Sequence, residues 1–244
     1  MHQIILRFLL SGLVAATLLA DRVEAQSPGT GTMADHPVDH ILLAVPDLAS
    51  GSADLGEMLS VEPTPGGEHP DLGTANSLVG LGEGIYLEII GPASRDNRGG
   101  FAERLAKLTH PELIGFAVQT RNIEAVREAA KAAGMTTGEI RAGSRKTPDG
   151  TMLQWRTMSV IDPAHDFLVP FFIDWGGTPH PSATSVGGPQ LISWEVGHPA
   201  PEDLQKIYDA LGIGITIVTA PKPFLRAQIK AADRTVILFG TGGQ

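Results

Sequence analysis

The sequence contains no cysteine. Packing must therefore hold the fold without disulfides, and both thiolate catalysis and cysteine metal ligands are excluded. Basic residues are also scarce: 18 Lys and Arg stand against 27 Asp and Glu, which gives a net charge of −9. A chain this acidic, without a basic cluster, is poorly suited to bind nucleic acid or anionic membranes. Small molecules or proteins are therefore the expected partners.

Common nucleotide-binding and hydrolase motifs are missing as well. The sequence has no Walker loop, no dinucleotide-binding fingerprint and no Gly-x-Ser-x-Gly nucleophile elbow. The glycine-rich end at 240–243 is not followed by a helix, so it is not a phosphate loop. We expect neither a nucleotide cofactor nor serine-hydrolase chemistry.

Residues 1–25 have the three parts of an export signal in the right order. Arg7 gives a short positive region, residues 8–20 are apolar or small, and Val23-Glu24-Ala25 suits signal peptidase. The apolar run is short for a membrane span. We predict cleavage near Ala25, export to the periplasm or medium, and no stable membrane anchor after cleavage; an uncleaved N-terminal anchor is the alternative. Residues 26–34 have the composition of a flexible linker.

Residues 35–244 show a strand, a helix and further strands in the same order three times. The strands that precede the three helices begin near His40, Leu113 and Gln190, at intervals of about 75 residues, and such a period predicts duplicated units. An α+β domain without internal duplication is the alternative. Predicted features of the first unit are a helix capped by Asp47, a loop at 63–73 and a strand hairpin. The three units span about residues 38–92, 112–175 and 190–240.

His40 and Glu88 are the strongest candidates for chemistry. Each lies among apolar residues on one face of a predicted strand, opposite a wholly aliphatic face. A carboxylate in such surroundings needs a cation, a metal or hydrogen-bond donors. The two side chains can hold a divalent metal, or they can bind substrate and move protons without one. In a purely structural role, His40 forms a hydrogen bond at a strand start and Glu88 pairs with an arginine such as Arg156.

Residues 39–48 resemble the opening strand of the vicinal oxygen chelate superfamily, the group of glyoxalase I, extradiol dioxygenases and bleomycin-resistance proteins. Gly66-Gly67, His69-Pro70, Tyr86-Leu87-Glu88 and residues 171–176 with His180-Pro181 resemble its glyoxalase-like branch more narrowly. The resemblance covers most of residues 38–239. It implies an α+β fold of repeated βαβββ modules, whose curved mixed sheets form a cleft, with a third partial module at the C-terminus.

The resemblance also implies a chemistry. In metal-dependent members, the ligands come from the first and last strands of two modules. Module one matches with His40 and Glu88, but the corresponding strands of module two carry no ligand before Gln119 and Asp174. A third ligand would have to come from His69, His180, Glu195 or His198. The implied activity is that of a metal-dependent lyase, isomerase or dioxygenase, and the alternatives are a sequestering protein without turnover and a protein-interaction role. Dimers are common in the superfamily, although one chain of this length can complete its own cleft.

Five further residues are candidates for substrate binding. His69 and Asn76 flank a glycine-containing loop, and Trp175 and His180 follow a strand among Gly and Pro. Arg156 can hold a substrate carboxylate if its strand face lines the cleft. We expect that face, because Trp155 on the other side can pack under a helix. The structural alternatives are turn chemistry for His69 and Asn76, a packed linker for Trp175 and His180, and a solvated Arg156.

Overall fold

A strand, a helix and further strands follow one another three times in the computed structural model, which describes residues 36–94, 100–147 and 150–241. The predicted signal peptide and linker lie outside the described residues. Within the described ranges, no helix is long and apolar enough to cross a membrane.

The first unit matches the predicted order and adds one strand. Asp47 caps its helix by accepting a hydrogen bond from the Ser50 backbone N–H. The loop predicted for 63–73 instead contains a strand at the outer edge of the sheet, where Pro65 is tolerated because the edge needs no donor on that side. The elements are β1 (Val38–Ala44), α1 (Leu48–Leu59), β2 (Thr64–His69), β3 (Thr74–Gly80) and β4 (Tyr86–Pro92). A short helix, α2 (Gly100–Ala106), leads to the second unit.

The second unit joins the first in one nine-stranded sheet. Its elements are β5 (Glu112–Gln119), α3 (Ile123–Ala132), β6 (Thr136–Thr137), β7 (Arg141–Lys146), β8 (Met152–Ile161) and β9 (Phe171–Asp174). The sheet order is β2-β3-β4-β1-β5-β9-β8, and both β6 and β7 pair with β8. β1 and β5 are antiparallel neighbours at the centre, while each is parallel to the last strand of its own unit. The prediction of repeated βαβββ modules in mixed sheets is confirmed.

The third unit repeats the element order with different strand pairing. It consists of β10 (Gln190–His198), α4 (Pro201–Ala210), β11 (Ile217–Thr219), β12 (Phe224–Lys230) and β13 (Thr235–Gly240). These strands form a separate sheet in the order β11-β10-β12-β13, so β10 lies inside its sheet, whereas β1 and β5 lie at the edges of their own modules. The third unit packs against the second through Tyr208, whose hydroxyl donates to the Leu168 carbonyl.

The two faces of the large sheet have different roles. Ile41, Leu43 and Val45 point to the helix side, where they are fully or almost fully buried with Leu55 and Leu59 of α1. Burying one such side chain stabilises the fold by about 1.5–3 kcal/mol. His40 and Leu42 of β1 point to the other face and line a cavity.

Candidate active site

A cavity of about 260 Å³ lies on the face of the large sheet that carries His40, and residues of both modules line it. Ligand sites for drug-sized molecules usually measure about 300–1,000 Å³, so this one suits a smaller compound. Its walls are mainly apolar and aromatic. The basic, acidic and amide side chains in the lining are His40, His69, Asn76, Glu88 and Arg145, and Tyr86, Thr157 and Ser159 add hydroxyl groups.

Glu88 forms the centre of the polar lining. It is only 7 % exposed, and its Oε1 accepts a hydrogen bond of 2.6 Å from Asn76 Nδ2. Two imidazoles flank the same carboxylate: His40 Nε2 lies 3.4 Å from Oε2, and His69 Nε2 lies 3.9 Å from Oε1. The structure therefore brings together four residues that the sequence predicted for the site.

Asn76 is held in place by the neighbouring edge strand. A side chain at Gly66 would have no room, because an added Cβ would lie 2.0 Å from Asn76 Oδ1. That oxygen is buried and accepts no hydrogen bond from the part of the chain that the structure describes. The amide thus presents its N–H group to Glu88 and is confined by the backbone behind it.

Asp39 is a site residue that sequence reasoning missed. Simple alternation places it on the aliphatic face of β1, but a register shift between Val38 and His40 forms a bulge opposite β5, and bulges redirect side chains. Asp39 is 1 % exposed. Its Oδ1 lies 2.6 Å from His40 Nδ1, and its Oδ2 lies 2.9 Å from both His180 Nε2 and Trp175 Nε1. The adjacent pair Asp39-His40 was the only sequence signal.

The charge of Asp39 fixes the orientation of His40. Burial raises the pKa of the Asp39 carboxyl, but hydrogen bonds from His180 and His40 outweigh burial and lower the pKa to about 2. The ionised carboxylate accepts from His40 Nδ1, so Nε2 is the ring nitrogen that faces Glu88. Trp175 and His180, both predicted for the site, reach it as partners of Asp39.

Aromatic rings enclose the imidazole of His40. Tyr86 stacks on it with ring centroids 4.7 Å apart, and Phe171 of module two contacts it edge-on at 5.5 Å. Burial, together with the charges of Asp39 and Glu88, raises the pKa of Tyr86 well above its ordinary value. Tyr86 therefore stays a neutral phenol beside the two carboxylates.

The prediction that Arg156 lines the cleft is wrong. Trp155, Thr157 and Ser159 of β8 face the cavity, whereas Arg156 pairs with Glu124 and Asp174 on the other side. Trp155 packs beside Trp175 in the cleft wall rather than under a helix, with ring centroids 5.5 Å apart. The cation of the cavity is instead Arg145, on a strand whose polar sequence gave no signal.

The candidate third metal ligands fall into two groups. His69 and His180 belong to the site, the latter through Asp39. Glu195 pairs with Arg226 in the third unit, and His198 contacts His165. The sequence alone could not show which candidates reach the site, because Glu195 and His198 are kept away from it by the separate sheet that the third unit forms.

Module two does not supply the second pair of metal ligands that the resemblance to metal-dependent members implies. Leu42 pairs with Glu88, and Ala117 pairs with Phe171. Leu42 and Ala117 each lie the same number of residues before the N-cap of their module's helix, Asp47 in α1 and Asn122 in α3. Phe171 therefore takes the place of Glu88 in module two, and Gly115 takes the place of His40. Among residues 36–94, 100–147 and 150–241, no group of three or more His, Asp or Glu can hold a metal ion.

Three solved structures are similar to this chain to different degrees. A hypothetical protein from Staphylococcus aureus has a similar structure, with a TM-score of 0.58 at 15% identity over 84% of this chain and 86% of that one. Methylmalonyl-CoA epimerase from Mycobacterium tuberculosis gives 0.46 at 16% identity over 64% and 98% of the two chains. A methylmalonyl-CoA epimerase in complex with methylmalonyl-CoA and NH4+ gives 0.44 at 16% identity over 60% and 99%.

Comparisons of the sequence alone give one match, to a family. No curated protein gives a significant match to the chain. The sequence model described as the glyoxalase-like domain matches residues 38–212, which is most of the chain. The resemblance to the glyoxalase-like branch is confirmed: this chain belongs to the glyoxalase-like domain family.

Proposed function

We propose that the exported chain binds a small organic molecule in the cleft and moves a proton on it, with Glu88 as the base. The observation that carries this proposal is the position of Glu88. Its carboxylate is buried at an apolar cavity, held by Asn76 and flanked by His40 and His69. Glutamate and histidine are the side chains most suited to general acid–base catalysis, and both are within reach of one ligand here.

The chemistry follows from the contacts. Glu88 accepts a proton from a carbon next to a carbonyl group, and the electron pair of that C–H bond moves to the carbonyl oxygen. His40, when protonated, donates from Nε2 to this oxygen, while the Asp39 carboxylate stabilises the imidazolium. Return of the proton to a different atom of the substrate completes an isomerisation, and return to the same carbon gives exchange alone. The apolar walls exclude water and so strengthen these electrostatic interactions.

The test is an exchange experiment in D₂O. Proton NMR follows loss of the C–H signal next to the carbonyl in a panel of 2-oxo acids, 2-aryl acids and aldehydes. We expect the protein to accelerate exchange of at least one compound, and Glu88→Gln to slow it about 100-fold or more. The control is Glu62→Gln, because Glu62 is exposed and lies outside the cavity.

Two results would contradict the catalytic proposal. In one, Glu88→Gln stays folded and catalyses exchange at the wild-type rate. In the other, members of the panel bind to the wild-type protein and none exchanges. The second result supports the alternative of a sequestering protein, which the missing second ligand pair also favours.

Metal-assisted lyase, isomerase or dioxygenase chemistry is a second candidate, favoured by one distance. His40 Nε2 and Glu88 Oε2 are 3.4 Å apart, which two ligands with bonds of about 2.0–2.2 Å to one ion can span. Elemental analysis of the wild type, His40→Ala and Glu88→Ala tests it. Near-stoichiometric metal that vanishes in both variants supports this candidate. No metal after incubation with manganese, iron, nickel and zinc would refute it.

A further inference from the structure

We infer that the cleft selects a small carboxylate with a flat, aromatic body, whose charged end is held by Arg145. The inference rests on the proposed role of the cleft in ligand binding and adds the class of ligand. It depends on three observations: the unused donors of Arg145, the way the backbone positions this side chain, and the aromatic wall.

Arg145 brings a cation with unused donors into the cavity. Its half-buried side chain lines the cavity together with Asn76 and Glu88. A guanidinium carries five N–H donors, and only one hydrogen bond is formed within residues 36–94, 100–147 and 150–241, from Nη1 to the Gly66 carbonyl at 2.5 Å. Over the same ranges, no carboxylate lies close enough to form an ion pair with it. The remaining donors are available to a ligand.

The backbone of β2 positions Arg145. The Gly66 carbonyl orients one end of the guanidinium, and Gly67 gives room to its stem, since an added Cβ there would lie 3.1 Å from Arg145 Cδ. Burial lowers the pKa of Arg145 below its ordinary value. The nearby Tyr86 and Glu88 raise the pKa, but by less than burial lowers it. A half-buried cation held in this way gains from an anionic partner.

The walls favour a flat ligand. Trp155 and Trp175 lie side by side, and Tyr86 and Phe171 continue the aromatic lining around His40. Gly143 pairs with Trp155 across β7 and β8, and an added Cβ there would lie 2.5 Å from the indole ring. The small volume admits a compound of one or two rings. The negative charge of Glu88 in the same cavity disfavours a dianion, so a carboxylate fits better than a phosphate.

Matched acid and amide pairs test the inference. The probes are phenylacetate with phenylacetamide and indole-3-acetate with indole-3-acetamide, and binding is measured by calorimetry and by ligand-observed NMR. We expect the acid of at least one pair to bind the wild-type protein about tenfold or more tighter than its amide. Arg145→Gln removes this difference, and Arg145→Lys retains part of it.

Arg141→Gln is the matched control, because Arg141 is exposed on the same strand and does not line the cavity. This variant should discriminate between acid and amide like the wild type. Cyclohexylacetate and inorganic phosphate should both bind more weakly than phenylacetate. Thermal unfolding of each variant checks that it is folded.

Three results would overturn the inference. The acid and the amide bind the wild type equally, the difference survives in a folded Arg145→Gln, or neither pair binds at all. The exchange experiment separates this inference from the catalytic proposal. Carboxylate binding that needs Arg145, without any exchange that needs Glu88, refutes catalysis and leaves the ligand class standing. Exchange that needs Glu88 but occurs only with neutral compounds refutes the ligand class and leaves the catalytic proposal standing.

Discussion

At the scale of single residues, Asp39 joins three side chains of the site. It holds His40, His180 and Trp175 with hydrogen bonds of 2.6–2.9 Å, although no hydrogen bond links it to Glu88. A change at Asp39 should therefore act through the orientation of His40. This makes Asp39 a positioning residue rather than a catalytic one.

The ionisation of Asp39 predicts a pH-dependent stability. Its pKa in the folded protein is about 2, against an ordinary value of 3.8. Because the folded pKa is the lower one, the ionised group stabilises the fold fully above about pH 4, and this contribution is lost as the pH falls towards 2. We expect Asp39→Asn to lower the free energy of unfolding by roughly 2 kcal/mol at pH 6, and by about half as much at pH 3.

Urea unfolding at the two pH values measures this difference. Asp54→Asn is the control, because Asp54 is exposed on α1. A deficit of Asp39→Asn that is the same at pH 6 and pH 3 would show that the charge of Asp39 does not stabilise the fold.

The residues that the sequence could and could not predict differ in their surroundings. His40 and Glu88 stood out because each interrupts an apolar strand face, and the structure places both at the cavity. Asp39 was hidden by a bulge, which depends on pairing with a strand far along the chain. Arg145 lies on a strand with mostly exposed neighbours, so neither alternation nor composition distinguished it.

At the scale of elements, the register of β8 decides which arginine serves the cleft. Arg156 points away from the cavity to Glu124 and Asp174, and its side chain is 41% exposed. We predict that Arg156→Gln leaves phenylacetate binding unchanged and lowers the free energy of unfolding by about 1–3 kcal/mol, because the buried Asp174 carboxylate loses its charged partner. Calorimetric titration and urea unfolding, with Arg145→Gln measured beside it, check this. Loss of binding in Arg156→Gln alone would mean that the register assigned to β8 is wrong.

Local signals predicted most elements. Asp47 caps α1 as expected, and Asn122 caps α3 in the same way, because each side chain accepts a hydrogen bond from a backbone N–H of the first turn. The strand β2 was missed because Pro65 and two glycines indicate a loop, and only its edge position makes a strand tolerable. The pairing order of β10 to β13 joins strands that are distant in sequence, so no local pattern could predict it.

At the scale of the whole molecule, one chain supplies both modules that enclose the cavity. β1, β3 and β4 provide His40, Asn76 and Glu88, while β7 to β9 provide Arg145, Trp155 and Phe171. The site therefore needs no second copy of the chain to complete these walls, and the homodimer stays a prediction. Export also stays a prediction, because the signal lies outside the described residues.

The third unit continues past the part of the chain that matches the family. The match to the family ends at residue 212, yet β12 and β13 continue the buried cluster that contains Leu113 and Phe116. Gly240 allows this close approach, since an added Cβ would lie 1.9 Å from the Leu113 carbonyl oxygen. The third unit thus supports module two from the side opposite the cavity and adds no residue to its lining.

The location of the ligand site is the central claim, and the histidines can report on it directly. The measurement is an NMR titration of the protein, with ¹⁵N-labelled imidazoles, against phenylacetate. The cavity assigned here predicts that the signals of His40 and His69 shift with a common binding curve, while those of His165 and His198 in the distant pair stay unchanged. Shifts confined to His165 and His198, or none at His40 during saturable binding, would contradict this account.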